Sequence, residues 1–197
     1  MELTIEELRK NYERYSDDQL IRIATTDASG LLPEAIQVLR EEIKRRGISE
    51  DLLNGINIQR KEISEMELLE YCEILRTQSC PVCGSGSSKL NATLVAIVLS
   101  FVVMTNYEKK LLVACPDCLL KANRNAMIKS ALFGWWGIPW GIVRTIQSLI
   151  LNNKMSNQTR LTEPNDLFKG FVIGQVGTIE AYKTNNERLQ SLIKHLK

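Results

Sequence analysis

Four of the five cysteines form two Cys-Pro-x-Cys pairs, Cys80 with Cys83 and Cys115 with Cys118, and no other feature constrains the fold as strongly. Two thiolates at this spacing on a tight turn can bind one ion. Two such turns complete the closed tetrahedral set that Zn²⁺ prefers in structural sites. The 31 residues between the pairs, 84–114, leave room for two or three strands that run out and back. We therefore predict a structural Zn²⁺ ion that holds the strand ends of a small β domain together.

Other uses of the cysteines fit the sequence less well. A redox pair of the thioredoxin kind belongs to a βαβ context, which neither pair has. Four thiolates leave no open position for water, which argues against catalytic zinc, whereas an iron centre of the rubredoxin kind uses the same ligands and stays an alternative. The fifth cysteine, Cys72, lies on the apolar side of a predicted helix, where we expect a small core residue rather than a ligand.

Charge is distributed unevenly along the chain, although the net charge of the whole is only +2. Residues 1–79 carry 11 basic and 17 acidic side chains, a net −6, and residues 80–197 carry 14 and 6, a net +8. The first part shows amphipathic helical periodicity with capping residues, and the composition changes beyond Gln78. We predict an α+β protein: an acidic helical module, 1–79, followed by a zinc-ribbon-like β domain with C-terminal helices, 80–197.

The segment between the cysteine pairs predicts most of the β structure. Residues 94–104 are apolar and rich in β-branched side chains, which favours a buried strand. Residues 107–110, Tyr-Glu-Lys-Lys, indicate a polar turn, and residues 111–114 indicate a returning strand. A short membrane insertion of 94–104 between two zinc knuckles is the alternative interpretation.

The sequence lacks the residue patterns of a typical active site. The only histidine is His195, so serine and cysteine nucleophiles have no obvious base. The Gly- and Ser-rich residues 84–88 lack the lysine and the following helix of a phosphate-binding loop. We therefore predict no enzymatic activity and no small-molecule substrate.

Residues 130–143 form an uncharged segment that contains all three tryptophans. Glycines and Pro139 interrupt it, which excludes a regular helix throughout. Between Asp117 and Glu163 the chain carries six Lys and Arg residues and no carboxylate. Such a pattern is typical of an interfacial membrane segment, because tryptophan rings lie at headgroup depth while cations meet anionic lipid. The candidate contact residues are Phe133, Trp135, Trp136, Trp140, Lys129 and Arg144.

Two interpretations of this segment stay open at the level of sequence. Its 14 residues are too few to span a bilayer, so a membrane attachment would be made from one side. The alternative is a Trp-rich plug packed on the zinc-ribbon sheet, with the glycines allowing close approach.

The order of these motifs resembles that of a group of largely uncharacterised bacterial zinc-ribbon proteins. The matching elements are Cys-Pro-x-Cys-Gly, an apolar β-rich segment, Cys-Pro-x-Cys, the block Gly-Trp-Trp-Gly-Ile-Pro-Trp-Gly at 134–141 and the following Asn152. The resemblance covers residues 80–152 and implies a zinc-binding, membrane-associated module without catalytic residues.

These patterns favour a non-enzymatic, zinc-binding adaptor or interaction protein whose basic part contacts an anionic membrane surface or a protein partner. Nucleic-acid binding is an alternative, although the basic residues are dispersed and the aromatic residues are not interleaved with them. A dedicated partner-binding protein of the toxin-neutralising type is compatible with the acidic helices. The N-terminal residues lack a signal-peptide pattern, so we expect a cytoplasmic protein, peripheral on the inner face of the membrane if the Trp segment attaches there.

Overall fold

The computed structural model describes residues 4–101 and 104–194, and the chain divides into two compact units. The first unit contains Met1–Tyr71 and Phe171–Asn186, and the second contains Cys72–Gly170 and Glu187–Lys197. This division differs from the predicted boundary between residues 79 and 80. The reason is that part of the C-terminal region joins the N-terminal helices, a tertiary association that local sequence patterns do not encode.

Within the described residues the chain forms nine α-helices and two β-strands. In chain order they are α1 (Ile5–Arg14), α2 (Asp17–Arg22), α3 (Pro33–Arg45), α4 (Asp51–Ile58), α5 (Glu65–Arg76), β1 (Asn91–Phe101), β2 (Met104–Ala114), α6 (Pro116–Phe133), α7 (Trp140–Gln158), α8 (Asp166–Ala181) and α9 (Asn186–Lys194). A π-helical turn, Ile23–Asp27, and a 3₁₀ turn, Ala28–Gly30, continue α2.

The predicted mixture of helices and strands is confirmed in its coarse form, since helices dominate and the sheet has two antiparallel strands in the described part of the chain. The predicted polar turn at 107–110 is wrong. These residues lie inside β2, where Glu108 is opposite Ile97 and Lys110 is opposite Val95. Charged side chains can occupy a strand wherever they reach solvent, so their polarity indicated exposure rather than a turn.

In the first unit, the helices begin at side-chain caps and bury their apolar sides against one another. The hydroxyls of Thr4 and Ser16 accept from the backbone amides of Glu7 and Gln19, whose side chains bond back to the amides of the capping residues. The buried core cluster contains Tyr12, Leu20, Ala24, Ala28, Ile36, Val38, Leu39, Ile43, Leu52, Ile56 and Ala181.

The C-terminal part of α8 belongs to this unit because it packs closely on the N-terminal helices. A Cβ atom on Gly177 would clash with the Gln59 side chain and with the backbone oxygen of Thr25, so only glycine allows this approach. The Tyr71 hydroxyl also donates to Glu180 Oε2 at 3.0 Å.

Arg46 connects α1 to α3 in the same unit. Its guanidinium donates to the backbone carbonyls of Tyr12, Glu13 and Tyr15 at 2.7–3.1 Å. These carbonyls lie at the C-terminal end of α1, where a helix leaves its last acceptors without intrahelical donors. Arg46 Nε also donates to Glu42 Oε1 at 2.5 Å. The buried Glu42 carboxylate therefore binds the same guanidinium that bonds the end of α1.

The second unit is built on the β1–β2 hairpin together with α6 and α7. The hairpin register runs from Asn91 opposite Ala114 to Phe101 opposite Met104. Along its other edge, β1 is bonded by side chains from the two helices instead of by a strand. The segment before α8 continues this covering, since Asn165 Nδ2 donates to the Ala92 carbonyl at 2.6 Å.

The Glu42 carboxylate gives a test of the first unit. Hydrogen bonds from Arg45 are the main cause that lowers the pKa of Glu42 to about 2. Burial of the carboxyl group acts in the opposite direction, and hydrogen bonds from Arg46 add to the lowering. An unfolded glutamate titrates near pH 4.3, so this stabilisation is complete above that pH and is lost as the pH falls toward 2. We expect Glu42→Gln to lower the free energy of unfolding by about 2 kcal/mol at pH 7 and to reduce the loss of stability below pH 4.3.

Thermal unfolding followed by circular dichroism at several pH values measures both effects. The control is Glu41→Gln, which changes an exposed neighbour that pairs with Arg9 at 2.8 Å on the surface. Exposed pairs of this kind contribute little. The same acid dependence in Glu42→Gln as in the wild type would contradict the assignment.

Candidate metal centre and aromatic surface

The first cysteine pair lies on a tight turn between α5 and β1. The Gly84 amide donates to the Cys80 carbonyl at 2.8 Å, and the Cys80 amide donates to the Ser85 carbonyl at 2.8 Å. Gly84 has a φ of +77°, a left-handed conformation that side chains with a Cβ disfavour. The glycine after the second cysteine therefore lets the chain reverse directly behind the thiols of Cys80 and Cys83.

The second cysteine pair lies at the N-terminus of α6, directly after β2. Cys115 is the N-cap residue and Pro116 follows it at the start of the helix, where a missing amide proton costs nothing. Cys118 lies in the first turn, among backbone amides that lack intrahelical acceptors and favour negative charge. The Cys115 amide donates to Cys80 Sγ at 3.4 Å, which brings the two pairs into direct contact.

The thiols of Cys80, Cys83, Cys115 and Cys118 form one cluster, in which the Sγ atoms all lie within 4.8 Å of one another. The Sγ atoms of Cys83 and Cys115 are 3.8 Å apart. Four sulfurs placed tetrahedrally at about 2.3 Å from one ion would be separated by about 3.8 Å. The cluster can therefore hold one metal ion, as the spacing of the two motifs predicts.

Three thiols of the cluster differ in acidity because their surroundings differ. Burial raises the pKa of Cys80, but hydrogen bonds from the backbone amides of Cys115, Cys83 and Val82 outweigh it, and the pKa falls to about 7. Burial, together with the neighbouring thiols, raises the pKa of Cys118 and of Cys115. Four adjacent thiolates are unfavourable on their own, whereas a divalent ion stabilises all of them at once.

The fifth cysteine does not belong to the cluster. Cys72 is a fully buried core residue, as its helical position predicts, and burial raises the pKa of its thiol to about 11. His195 lies outside the described residues.

The Trp-containing segment connects α6 to α7 and is held in place by its glycines. Gly134, Gly137 and Gly141 are buried and leave no space for a side chain. A Cβ atom on Gly134 would clash with the Thr145 hydroxyl in α7, and one on Gly137 would clash with the Thr105 hydroxyl in β2. The regular glycine spacing of the block is therefore explained by close packing against α7 and the hairpin.

The tryptophan side chains of this segment are exposed. Trp136 and Trp140 are 68% and 66% exposed, and Trp135 is 41% exposed. The indole N–H of Trp135 donates to the Ala131 carbonyl at 2.7 Å, which holds that ring beside the end of α6. These exposures contradict the alternative of a buried Trp-rich plug. Of the other predicted contact residues, Phe133 and Lys129 are exposed and Arg144 is half-buried.

The exposed apolar area extends to residues that the sequence analysis did not assign to it. We call it the aromatic surface, and it comprises Phe101, Met104, Leu132, Phe133, Trp135, Trp136, Ile138 and Trp140. The hairpin end joins the Trp segment because Gly137 approaches both Ser100 and Thr105.

Helix α7 extends the exposed apolar area. Its side chains are distributed in the opposite way to those of an ordinary surface helix, because small and polar residues are buried and apolar ones are exposed. Its buried positions include Gly141, Thr145, Ser148, Asn152 and Met155. Its exposed positions include Ile142, Val143, Ile146 and Ile150. The small and polar residues recur every three or four positions, which places them on one side of a helix. This spacing in the sequence predicts that one side of α7 packs through small and polar residues.

In residues 4–101 and 104–194, no helix combines the length and the apolar character needed to cross a bilayer. No protein-family model matches the sequence, and neither does any curated protein or solved structure. The resemblance to bacterial zinc-ribbon proteins therefore stays a prediction from the motifs.

The cluster geometry predicts that metal binding and folding of the second unit are coupled. We expect Cys115→Ser to lose most of its bound metal and to unfold at a lower temperature, because three thiolates and a hydroxyl bind a soft ion more weakly. Elemental analysis of the purified chain and calorimetric melting measure the two effects.

The matched control is Cys72→Ala, which removes the cysteine outside the cluster. It should keep its metal and lose only about 1 kcal/mol of stability, as expected for a small core truncation. Equal metal content in Cys115→Ser and in the wild type would rule out the four-cysteine site.

Proposed function

We propose that this protein is a non-enzymatic zinc-binding adaptor that attaches peripherally to an anionic membrane through its aromatic surface. The observation that carries the proposal is the exposure of all three tryptophans of one short segment, together with Arg144 beside Trp140 in the lining of one cavity. Zn²⁺ is the ion that we assign to the cluster, because it is the usual occupant of closed sites with four thiolates. Its role would be structural, since such a site leaves no position for a substrate.

The inverted pattern of α7 supports a membrane as the partner. In water, helices normally bury apolar side chains and expose polar ones. Helices in an apolar medium commonly pack through small residues and polar side chains, as α7 does through Gly141, Thr145 and Ser148. Exposed Ile142, Ile146 and Ile150 would be unfavourable in water and favourable against acyl chains.

The charge around the aromatic surface supports an anionic membrane in particular. The 45 positions between Asp117 and Glu163 contain six cations and no carboxylate, so no fixed negative charge of this stretch repels lipid phosphates. Lys129 is exposed close to the end of α6, and Arg144 lies in the first turns of α7. Cations near the surface of an anionic bilayer contribute about 1 kcal/mol each.

The proposed attachment is interfacial. Tryptophan rings favour the boundary between headgroups and acyl chains, and interfacial segments enter that boundary by about 5–10 Å. The first unit is not needed for this contact, and its acidic helices are available for a protein partner. This arrangement is what makes the chain an adaptor in our proposal.

Co-sedimentation with vesicles tests the proposal. We expect the zinc-loaded chain to bind vesicles that contain phosphatidylglycerol, and the Trp135→Ala/Trp136→Ala variant to bind at least about tenfold more weakly, because two large exposed side chains no longer enter the bilayer. Metal content and circular dichroism establish that the variant is folded.

The matched control removes two exposed apolar side chains from the first unit, Leu32 and Met66, which are 67% and 76% exposed. Leu32→Ala/Met66→Ala should bind vesicles as the wild type does. No binding of the wild-type chain at low salt, or equal loss in both double variants, would overturn the membrane assignment.

A further inference from the structure

A cavity of about 520 Å³ lies beside the aromatic surface, between the end of the β-hairpin and the start of α7. Its size falls within the range of small-molecule sites, roughly 300–1,000 Å³. The lining includes Thr105, Asn106, Tyr107, Ile138, Trp140 and Arg144. The cavity therefore combines hydroxyl, amide and guanidinium groups with an apolar wall.

Arg144 places a guanidinium in the wall of this cavity, against the Tyr107 ring. Arg144 Cζ lies 5.2 Å from the centroid of the Tyr107 ring, and Lys109 Nζ lies 5.3 Å from the same centroid. The contact with the ring stabilises the Arg144 guanidinium and helps to hold it at the cavity wall. An anion in the cavity would pair with this guanidinium.

No carboxylate of the described residues lies within 4.0 Å of Arg144 or Lys109 to supply that anion. The nearby Glu108 pairs with Lys110 at 3.1 Å instead. Arg144 Nη1 donates to Gln147 Oε1 at 3.0 Å. A guanidinium has five N–H donors, so this bond leaves others for a ligand.

The remaining groups indicate which anion fits. Ser100 Oγ donates to Thr105 Oγ1 at 3.1 Å, so the Thr105 hydroxyl keeps its own proton for another acceptor. The exposed Asn106 amide adds two N–H donors. A phosphate accepts several such bonds together with the Arg144 fork, while Ile138 and Trp140 suit a hydrocarbon group attached to it.

We propose that this cavity binds the phosphate of one phospholipid headgroup, with Arg144 as its principal ligand and Thr105 and Asn106 as further donors. The inference rests on the proposed function, because the aromatic surface brings lipid to the cavity. The inference adds one defined binding site for a lipid phosphate to the proposed membrane contact. The other basic residues attract anionic lipids without binding a particular phosphate. Free phosphate esters carry the same anion, and the experiment separates the two sources.

The test compares the binding of the zinc-loaded chain to three probes: phosphatidylglycerol vesicles, a monomeric short-chain phosphatidylglycerol and glycerol phosphate. Tryptophan fluorescence reports binding, since Trp140 lines the cavity. We expect Arg144→Gln to weaken binding of the short-chain lipid at least about tenfold, the loss of one charged hydrogen-bonded contact. Arg144→Lys should restore only part of it, because an ammonium lacks the planar fork.

The matched control is Lys154→Gln, which removes the same charge from an exposed position further along α7. It should weaken binding of the short-chain lipid by less than about threefold, as expected for a screened surface charge. An equal effect of Arg144→Gln and Lys154→Gln would overturn the cavity site. Equal affinity of the wild type for short-chain lipid and glycerol phosphate would also overturn the lipid assignment.

The vesicle arm separates this inference from the proposed function. If the wild-type chain binds the short-chain lipid in an Arg144-dependent manner but binds no vesicles, the cavity site stands and the membrane attachment fails. If it binds vesicles and Arg144→Gln behaves as Lys154→Gln does with both lipid probes, the attachment stands and the cavity site fails.

Discussion

The buried edge of β1 is the constraint on which the second unit depends. Backbone groups taken out of water must find hydrogen-bond partners, and here the partners are side chains of two helices rather than another strand. Asn152 accepts from the Ala96 amide at 3.0 Å and donates to the Ala96 carbonyl at 2.7 Å. Ser148 donates to the same carbonyl at 2.7 Å, and Ser130 accepts from the Val98 amide at 3.1 Å.

This constraint explains why α7 is inverted. A helix that directs Ser148 and Asn152 toward the sheet cannot direct a row of isoleucines there as well, so its three isoleucines are exposed. The same arrangement protects the strand edge, because a β1 edge already bonded by side chains cannot pair with another chain. The Asn152 that follows the Trp-containing block thereby gains a physical role: it replaces a neighbouring strand.

The two ends of the hairpin differ in chemistry. At one end, Cys115 directly follows β2, and its amide donates to Cys80 Sγ at 3.4 Å. At the other end, Gly137 packs against Ser100 and Thr105 and leaves the tryptophans exposed. In our account the metal supplies stability that the small, partly polar interior of this unit provides only weakly, while the opposite end is free to contact lipid.

Patterns in the sequence predicted those parts of the structure that depend on residues close together along the chain. The Cys-x-x-Cys spacing indicated the cluster of four thiols. The roles of Gly84 and of the capping residues follow from the chemistry of turns and helix ends, which involves only a few consecutive residues. Residues 107–110 belong to β2, although their sequence indicated a turn. Polar residues occur both in turns and on the exposed side of a strand, so polarity alone does not distinguish the two. Membership of residues 171–186 in the first unit depends on the close approach of Gly177 to Gln59. No local pattern reveals such an approach.

The sequence does not determine whether the tryptophan rings are buried, for a related reason. A Gly-Trp-Trp-Gly pattern predicts close backbone packing, but it does not say whether the backbone packs inward with the rings outside or the reverse. The structure resolves this through Gly134 and Gly137, whose surroundings exclude even a Cβ atom, while Trp136 and Trp140 are exposed.

The central claim is that the aromatic surface enters the bilayer interface, and intrinsic fluorescence tests it most directly because all three tryptophans lie between residues 135 and 140. Phosphatidylglycerol vesicles with bromine at shallow or deep acyl positions quench only the rings that come close. The account predicts strong quenching by shallow bromines and weaker quenching by deep ones, together with protection from aqueous iodide. Fluorescence unchanged by either brominated lipid, with full access of iodide to the rings, would contradict it.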